Sequence, residues 1–411
     1  MIAAVDEARL TRELATLAAF SESPAPAVTR IVFGEVDLRA RAYLKTLFAE
    51  ASLAVREDPV GNTFARWPGG SPDLPAVATG SHVDAIPNAG RFDGTVGVLG
   101  GLEAIRALRR AGFEPRRSID LVLFTSEEPT RFGIGCLGSR LLSGALDASA
   151  GETLTSDGQS LNQVRRTAGF AGPLGDVPLP PGAYSAFVEL HIEQGPLLER
   201  DQIDIGVVTA IAAPASVRVI VDGEGGHAGA MLMPDRHDAF LAAAEVALAV
   251  EAAARSTGAV DTVATTGVCE VFPGAINSVP SRARLDVDVR DIDLARRDSV
   301  LAAIGRACDE VQARRGVAVR LEPINADPPA HCAPAIVEAI AAACDARRLR
   351  HRPMISRAYH DSLFMARIAP MGMIFIPCRG GVSHRPDEYA SPQAIAHGTE
   401  VLADTLALLA G

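Results

Sequence analysis

Four short apolar, β-prone runs in this chain each stop at side chains that ligate metals or carry protons. Ala76–Thr79 leads into GSHVDAIPNAGRFDG, with His82, Asp84 and Asp93, and Ser118–Phe124 ends in Thr125, Ser126, Glu127 and Glu128. Ala186–His191 ends in His191 with Glu193 and Gln194 behind it, and Met373–Ile376 is followed by CRGGVSHRPDEY, which carries His384. Between the first two runs, Val96–Ala111 repeats Leu99, Leu102, Ile105 and Leu108 at helical period. Strand-length runs alternating with helices imply an α/β fold, a mostly parallel central sheet with helices on both faces. Ligands in such open sheets bind beyond the carboxyl ends of the strands, where these side chains fall.

The pattern changes between residues 212 and 329. Strand Ser216–Val221, helix Asp235–Ala254, strands Thr262–Phe272 and Ala283–Asp291, helix Leu294–Arg314 and strand Ala318–Pro323 follow one another in a β-α-β-β-α-β order. That is the ferredoxin-like α+β motif. With 411 residues the chain exceeds one ordinary core. The expected division is a catalytic domain from 1–211 and 330–411, interrupted by an inserted domain at 212–329. Residues 148–182, dense in Gly, Pro, Ser and Thr, read as a surface loop.

Composition removes whole classes of function. A formal charge of −11 excludes nucleic acid and anionic membrane as partners, since both require a basic face. The N-terminal segment mixes Asp6, Glu7 and Glu13 with apolar residues and reads as an amphipathic helix, and the longest apolar stretch, Ala239–Ala254, is broken by Glu245 and Glu251. A soluble cytoplasmic protein is the expectation. Six cysteines without CxxC spacing argue against both a disulfide framework and a thiolate metal site. Lys45, the single lysine, lies mid-helix with no glycine loop beside it, which sets aside P-loop and Schiff-base chemistry.

Histidines with carboxylates and no cysteine are ligands suited to Zn²⁺ or Mn²⁺ at a catalytic site. Adjacent carboxylates such as Glu127 and Glu128 disfavour joint ionisation unless a cation or a shared task holds them. A metal resolves that conflict; a solvated acidic turn is the alternative reading.

The motifs GSHVDAIPNAGRFDG, SEEPTRFGIGCLGSR, VELHIEQGP, GEGGHAGAMLMPDRHDA, PGAINSVP with its downstream DVDVR, and GGVSHRPDE occur in this order from about residue 60 to 390. Together they resemble the dinuclear metal-dependent amidohydrolases related to aminoacylase-type metallopeptidases. The resemblance implies two divalent ions, Mn or Zn, bridged by Asp93, with His82 and His191 on one ion and Glu128 and His384 on the other. It implies Glu127 as general base, with Asp84 behind the ligands orienting the His82 imidazole. It makes the insert a lid that also builds a homodimer. His227 then stabilises the developing oxyanion, Asn277 and Arg290 hold the substrate carboxylate, and Gln194 touches the substrate amide.

The expected substrate is a small anionic ureido compound, its linear carbamoyl C–N bond hydrolysed with release of ammonia and CO2. Several stretches look most similar to ureidoglycolate amidohydrolases. After His227 this chain has Ala230, Met231, Leu232, Met233 and Pro234 in place of the Thr-Thr-Pro usual in carbamoylases and allantoate enzymes. N-carbamoyl-L-amino-acid and allantoate hydrolysis are the alternatives, and N-acyl amino acid deacylation or peptidase activity a further one. Among other candidates, His237, His331, His351 and His397 read as surface or helix-terminal groups and Cys136 as a small buried apolar residue. His360 with Asp361 is balanced between a pocket role and a structural pair.

Overall fold

The structure, a computed structural model, describes residues 4–411. They divide into two compact units: residues up to Thr209 together with His331–Gly411, and Ala210–Ala330. Along the chain the principal elements are β1 (Ala54–Glu57), β2 (Thr63–Trp67), β3 (Ala76–Ser81), α1 (Thr95–Arg110), β4 (Ile119–Leu123), β5 (Tyr184–Ile192) and β6 (Ile205–Ile211). The second unit supplies β7 (Ala213–Asp222), α2 (Ala239–Ser256), β8 (Val263–Phe272), β9 (Arg282–Asp291), α3 (Leu294–Arg315) and β10 (Ala318–Ala326). The chain returns through α4 (Asp361–Met365), β11 (Met371–Ile376) and α5 (Pro392–Ala410).

The first unit is built on a nine-stranded sheet whose path includes β6-β11-β5-β3-β4-β2-β1. Only the central block is parallel, through the pairs β11–β5, β5–β3 and β3–β4. The flanking pairs β6–β11, β4–β2 and β2–β1 are antiparallel, so the sheet is mixed rather than mostly parallel. For β1 and β2 the reason is local: a short turn joins them, and only antiparallel neighbours can be joined so.

Alternation along β5 assigns its two faces. Val188, Leu190 and Ile192 join the core cluster that includes α1 and α5, whereas Glu189 accepts hydrogen bonds from Ser362 of α4. Successive side chains of a strand point to opposite faces, so Glu189 and His191 share the face covered by α4. The 148–182 segment is more ordered than its composition suggests. It holds a hairpin and the helix Leu161–Thr167, which opens on a capping box from Ser160 and Gln163, and it buries Arg165 and Phe170.

In the second unit the strand order is β8-β9-β7-β10, antiparallel throughout. Val219, Val221, Ala283, Leu285, Val287 and Val289 form a core with α2 and α3. Their neighbours in register on the opposite face are charged and paired, Arg218 with Asp286 at 2.8 Å and Arg290 with Asp288 at 2.8 Å. Asp238 caps the first turn of α2 and Asp293 that of α3. Among the described residues no helix is long and apolar enough to cross a membrane, and all six cysteines are free thiols.

Candidate metal centre

The ligand-type side chains of the first unit converge. Asp93 lies between two groups: its Oδ1 is 3.7 Å from His82 Nε2 and 3.1 Å from His191 Nε2, and its Oδ2 is 3.2 Å from His384 Nε2. Glu128 Oε1 is 3.4 Å from the same His384 nitrogen. In each group, His82 with Asp93 and His191, or Asp93 with Glu128 and His384, the ligand atoms lie within 4.8 Å of one another.

Main-chain geometry forces this convergence. The helix α1 begins at Gly94 with φ 64, and a Cβ there would stand 2.5 Å from the His82 ring. Only glycine lets Asp93 and His82 approach so closely. Ser126, Cys136, Gln194 and His384 have φ of 57, 56, 55 and 58. Left-handed backbone costs a non-glycine residue about 1–2 kcal/mol, and these four residues all flank the site.

The donor set fits divalent ions. His82 Nδ1 donates to the Asp84 carbonyl at 3.1 Å and His191 Nδ1 to the Ile192 carbonyl at 2.9 Å. With those protons committed, each neutral ring turns an Nε2 lone pair toward Asp93. Lone pairs converging with a carboxylate repel one another unless a cation lies among them, and hard or borderline cations take this mixture of imidazole and carboxylate.

Asp84 does not act on His82 through its carboxylate, as the sequence suggested. Its carboxyl oxygens accept the backbone N–H groups of Glu127 at 3.2 Å and Glu128 at 2.9 Å, and stand 3.7 Å from His82 Nδ1. Two convergent amides are the better partner, and the Asp84 carbonyl takes the imidazole instead. Glu127 belongs to neither ligand group, with Oε2 3.7 Å from His82 Nε2 and Oε1 3.4 Å from the Cys136 thiol, which donates to it. Cys136 is thus a buried neighbour of Glu127 as well as a small apolar residue.

Gln194 donates to Asp93 Oδ2 at 2.8 Å, while its Oε1 is buried without a hydrogen-bond partner. His360 and Asp361 are both buried; the His360 ring meets His191 edge-on at 4.6 Å and Asp361 accepts from Ser139. Residues not foreseen complete the surroundings. Glu189 accepts Ser81 Oγ at 2.7 Å and Ser362 Oγ at 2.6 Å, and Glu388 accepts Phe92 N–H at 2.7 Å and Asp93 N–H at 3.1 Å. Ser383 Oγ donates to Asp93 Oδ2 at 2.8 Å and is 3.1 Å from Glu388. Alternation in VELH could have placed Glu189 beside His191; nothing local marks Glu388.

His227, Asn277 and Arg290 all belong to the second unit. His227 pairs in register with Ser278, and Ala228 N–H donates to the Asn277 carbonyl at 2.8 Å, which makes those two residues neighbours. Gly229 N–H donates to His227 Nδ1 at 3.1 Å, leaving Nε2 to carry the proton of the neutral ring.

Burial and crowding set the electrostatics. Burial raises Glu127 well above the usual carboxylate range and takes Glu128 up to about 8, neighbouring carboxylates adding to both. Burial likewise takes Asp84 and Glu388 up to about 7, and His82 down to about 4. In the metal-free protein a proton on each Nε2 takes the place of the cation: against burial, hydrogen bonds donated by His191 and His384 hold Asp93 well below its usual value. The bond to Asp93 holds His384 at about 9; against burial, it also holds His191 at about 9.

The sign of a pH effect follows for the metal-free protein. Glu128, Asp84, Glu388, His191 and His384 are raised above unfolded values of about 4 for carboxylates and about 6.5 for imidazole. Each stabilises the fold below its unfolded value and loses that contribution as pH rises through the folded one. His82 acts oppositely, but only below about 6.5. The Tm of metal-free protein is therefore expected to fall from about pH 7 to about pH 9, and added Mn²⁺ to raise Tm more at the higher pH, because the ligands bind deprotonated. Calorimetry across that range, with a Tm that stays flat or rises in the metal-free protein, would contradict this account.

Known proteins share this arrangement of chain. The sequence is 54% identical over 413 residues to ureidoglycolate hydrolase of Arabidopsis thaliana, covering 98% of this chain and 87% of that protein. It is 37% identical to an N-carbamoyl-L-amino acid amidohydrolase of Geobacillus stearothermophilus, covering 98% of each chain. A crystal structure of AtUAH in complex with (S)-hydroxyglycine superposes with a TM-score of 0.90 at 52% identity, covering 100% of this chain and 99% of the other. Residues 78–408, which hold every ligand-type side chain described above, match the profile of peptidase family M20/M25/M40, and the chain belongs to that family.

Proposed function

We propose that the protein is a metal-dependent amidohydrolase that cleaves the ureido C–N bond of ureidoglycolate. The reaction class rests on one observation: two ligand groups share Asp93, and the Glu127 carboxylate stands beside both without belonging to either. The choice of substrate rests on the 54% identity to ureidoglycolate hydrolase.

His82, Asp93 and His191 would hold one divalent ion, and Asp93, Glu128 and His384 a second, either Mn²⁺ or Zn²⁺. When bound, such ions supply Lewis-acid polarisation of the ureido carbonyl and lower the pKa of the attacking water. Glu127 takes the proton from that water and returns it to the departing nitrogen. Burial and the neighbouring carboxylates raise Glu127 above the usual carboxylate range, which makes it a stronger proton acceptor than an exposed carboxylate. Asp84 fixes the position of Glu127 by holding its backbone N–H. Hydrolysis of ureidoglycolate in this way yields hydroxyglycine, CO2 and ammonia.

His227 is assigned to the developing oxyanion through its Nε2 proton, and Asn277 and Arg290 to the substrate carboxylate, for which an Arg fork is well shaped. Gln194 is assigned to the substrate amide, its unpartnered Oε1 serving as acceptor. The inserted unit, read as a ferredoxin-like lid, is assigned the homodimer contact.

Ammonia release by Mn²⁺-reconstituted protein, with ureidoglycolate, allantoate and a panel of N-carbamoyl amino acids in parallel, tests the substrate. Ureidoglycolate is expected to exceed the others in kcat/KM by about 100-fold, since allantoate and the N-carbamoyl amino acids share its carboxylate but lack its hydroxyl, and a pocket that pairs that hydroxyl rejects analogues without it. Preferred turnover of a carbamoyl amino acid would make the protein a carbamoylase. Silence on every ureido compound would favour deacylation.

A further inference from the structure

Three arginines are wholly or almost wholly buried in the first unit, Arg30, Arg41 and Arg165. Two of them come from the segment before residue 78, outside the family profile, and both grip the main chain beneath the metal centre. Each nitrogen of Arg30 donates to a carbonyl: Nη1 to Val83 at 2.6 Å, Nη2 to Leu17 at 2.6 Å and Phe20 at 2.8 Å, and Nε to Phe20 at 3.0 Å. Val83 sits between His82 and Asp84. Arg41 donates to both Asp37 oxygens at 3.1 Å, to the Gly61 carbonyl at 3.0 Å and to the Phe124 carbonyl at 3.4 Å. Phe124 is the last residue before the turn that carries Glu127 and Glu128. The contact is returned from that turn, where Arg131 donates to the Val32 carbonyl at 3.2 Å.

These bonds close a circuit. Arg30 fixes the loop of His82 and Asp84, Asp84 fixes the amides of Glu127 and Glu128, and Arg41 fixes the strand end that leads to them. Arg30 also brings a positive charge near a site crowded with carboxylates, whereas the charge of Arg41 is paired with Asp37, and neither spends a donor on Asp93, Glu127 or Glu128. A guanidinium desolvated this fully is costly unless its nitrogens are hydrogen-bonded, so its place among carbonyls of two ligand loops calls for a reason beyond packing.

We infer that Arg30 and Arg41 are positioning residues, through which the N-terminal segment sets the spacing of the two ligand loops and thereby the affinity for divalent ions. The inference rests on the metal-centre reading under Proposed function.

Metal-stripped wild type, Arg30→Lys, Arg41→Lys and Arg165→Lys are titrated with Mn²⁺ alone, followed by electron paramagnetic resonance, with Tm recorded for each. Arg165 serves as control, because its donors go to Asn162 Oδ1 and to the carbonyls of Pro59, Phe170 and Gly172, none in a ligand loop. Arg30→Lys and Arg41→Lys are expected to weaken Mn²⁺ binding by about 10- to 100-fold, the usual effect of losing a support behind the ligands. Arg165→Lys is expected to lower Tm with wild-type affinity retained. Wild-type Mn²⁺ affinity in a folded Arg30→Lys or Arg41→Lys protein overturns the inference, as does an equal loss of affinity in Arg165→Lys. Because the two residues act on different loops, either folded variant decides. Failure of the wild type itself to bind Mn²⁺ would instead strike the metal-centre reading.

Discussion

Glu127→Gln is expected to lower kcat by about 10³-fold, within the range that a positioned general base contributes, while Mn²⁺ content stays at the wild-type level. The amide is isosteric and can still accept from the Cys136 thiol, which stands 3.4 Å from Oε1. What it cannot do is take a proton from water. Glu128→Gln is the informative contrast. Glu128 shares a ligand group with Asp93 and His384, so its amide should lose metal as well as turnover. Steady-state kinetics beside elemental analysis separates the two roles. A Glu127→Gln protein that keeps its metals and turns over within tenfold of wild type would remove Glu127 from the chemistry.

The clustered ligand-type side chains are legible in the sequence because each depends on a local rule. His82, Glu128 and His191 stand at strand ends, and strand ends can be read from apolar runs a few residues long. Glu189 was legible in principle by the same alternation that turns His191 toward the site. Glu388 was not, because it meets Phe92 and Asp93 across almost 300 residues of chain, and no periodicity encodes such a contact. Asp84 shows a different limit. Its type and place behind the ligands were readable, but which of its oxygens met the imidazole depended on where the Glu127 and Glu128 amides came to lie. The antiparallel pairs β6–β11 and β4–β2 are hidden from the sequence for a similar reason, since pairing partners distant in the chain are chosen by the whole sheet rather than by any one strand. The 148–182 segment misled by composition: its glycines and prolines hid a capped helix and a buried Arg165.

Asp93 is where the two ligand groups become one centre, and Asp93→Asn should therefore cost more than the loss of any terminal ligand. Oδ1 faces His82 and His191, while Oδ2 faces His384 and accepts from Gln194 and Ser383, each at 2.8 Å. An asparagine has one acceptor oxygen and one NH2 group for these two sides. If the NH2 faces the imidazoles, it points donors at the place where a cation would lie. If it faces the other way, it meets the donors of Gln194 and Ser383. Either orientation also removes the negative charge that His191 and His384 are arranged around. Removing a support behind the ligands weakens metal binding by about 10- to 100-fold, and loss of the shared ligand is expected to exceed that at both groups together, with turnover below detection. The fold should survive, because Asp93 lies in a loop whose backbone is held independently by Glu388 and whose neighbour Gly94 opens α1. Elemental analysis with circular dichroism checks the expectation. A folded Asp93→Asn protein that loses only one ion would mean that the two groups bind independently and that Asp93 does not join them.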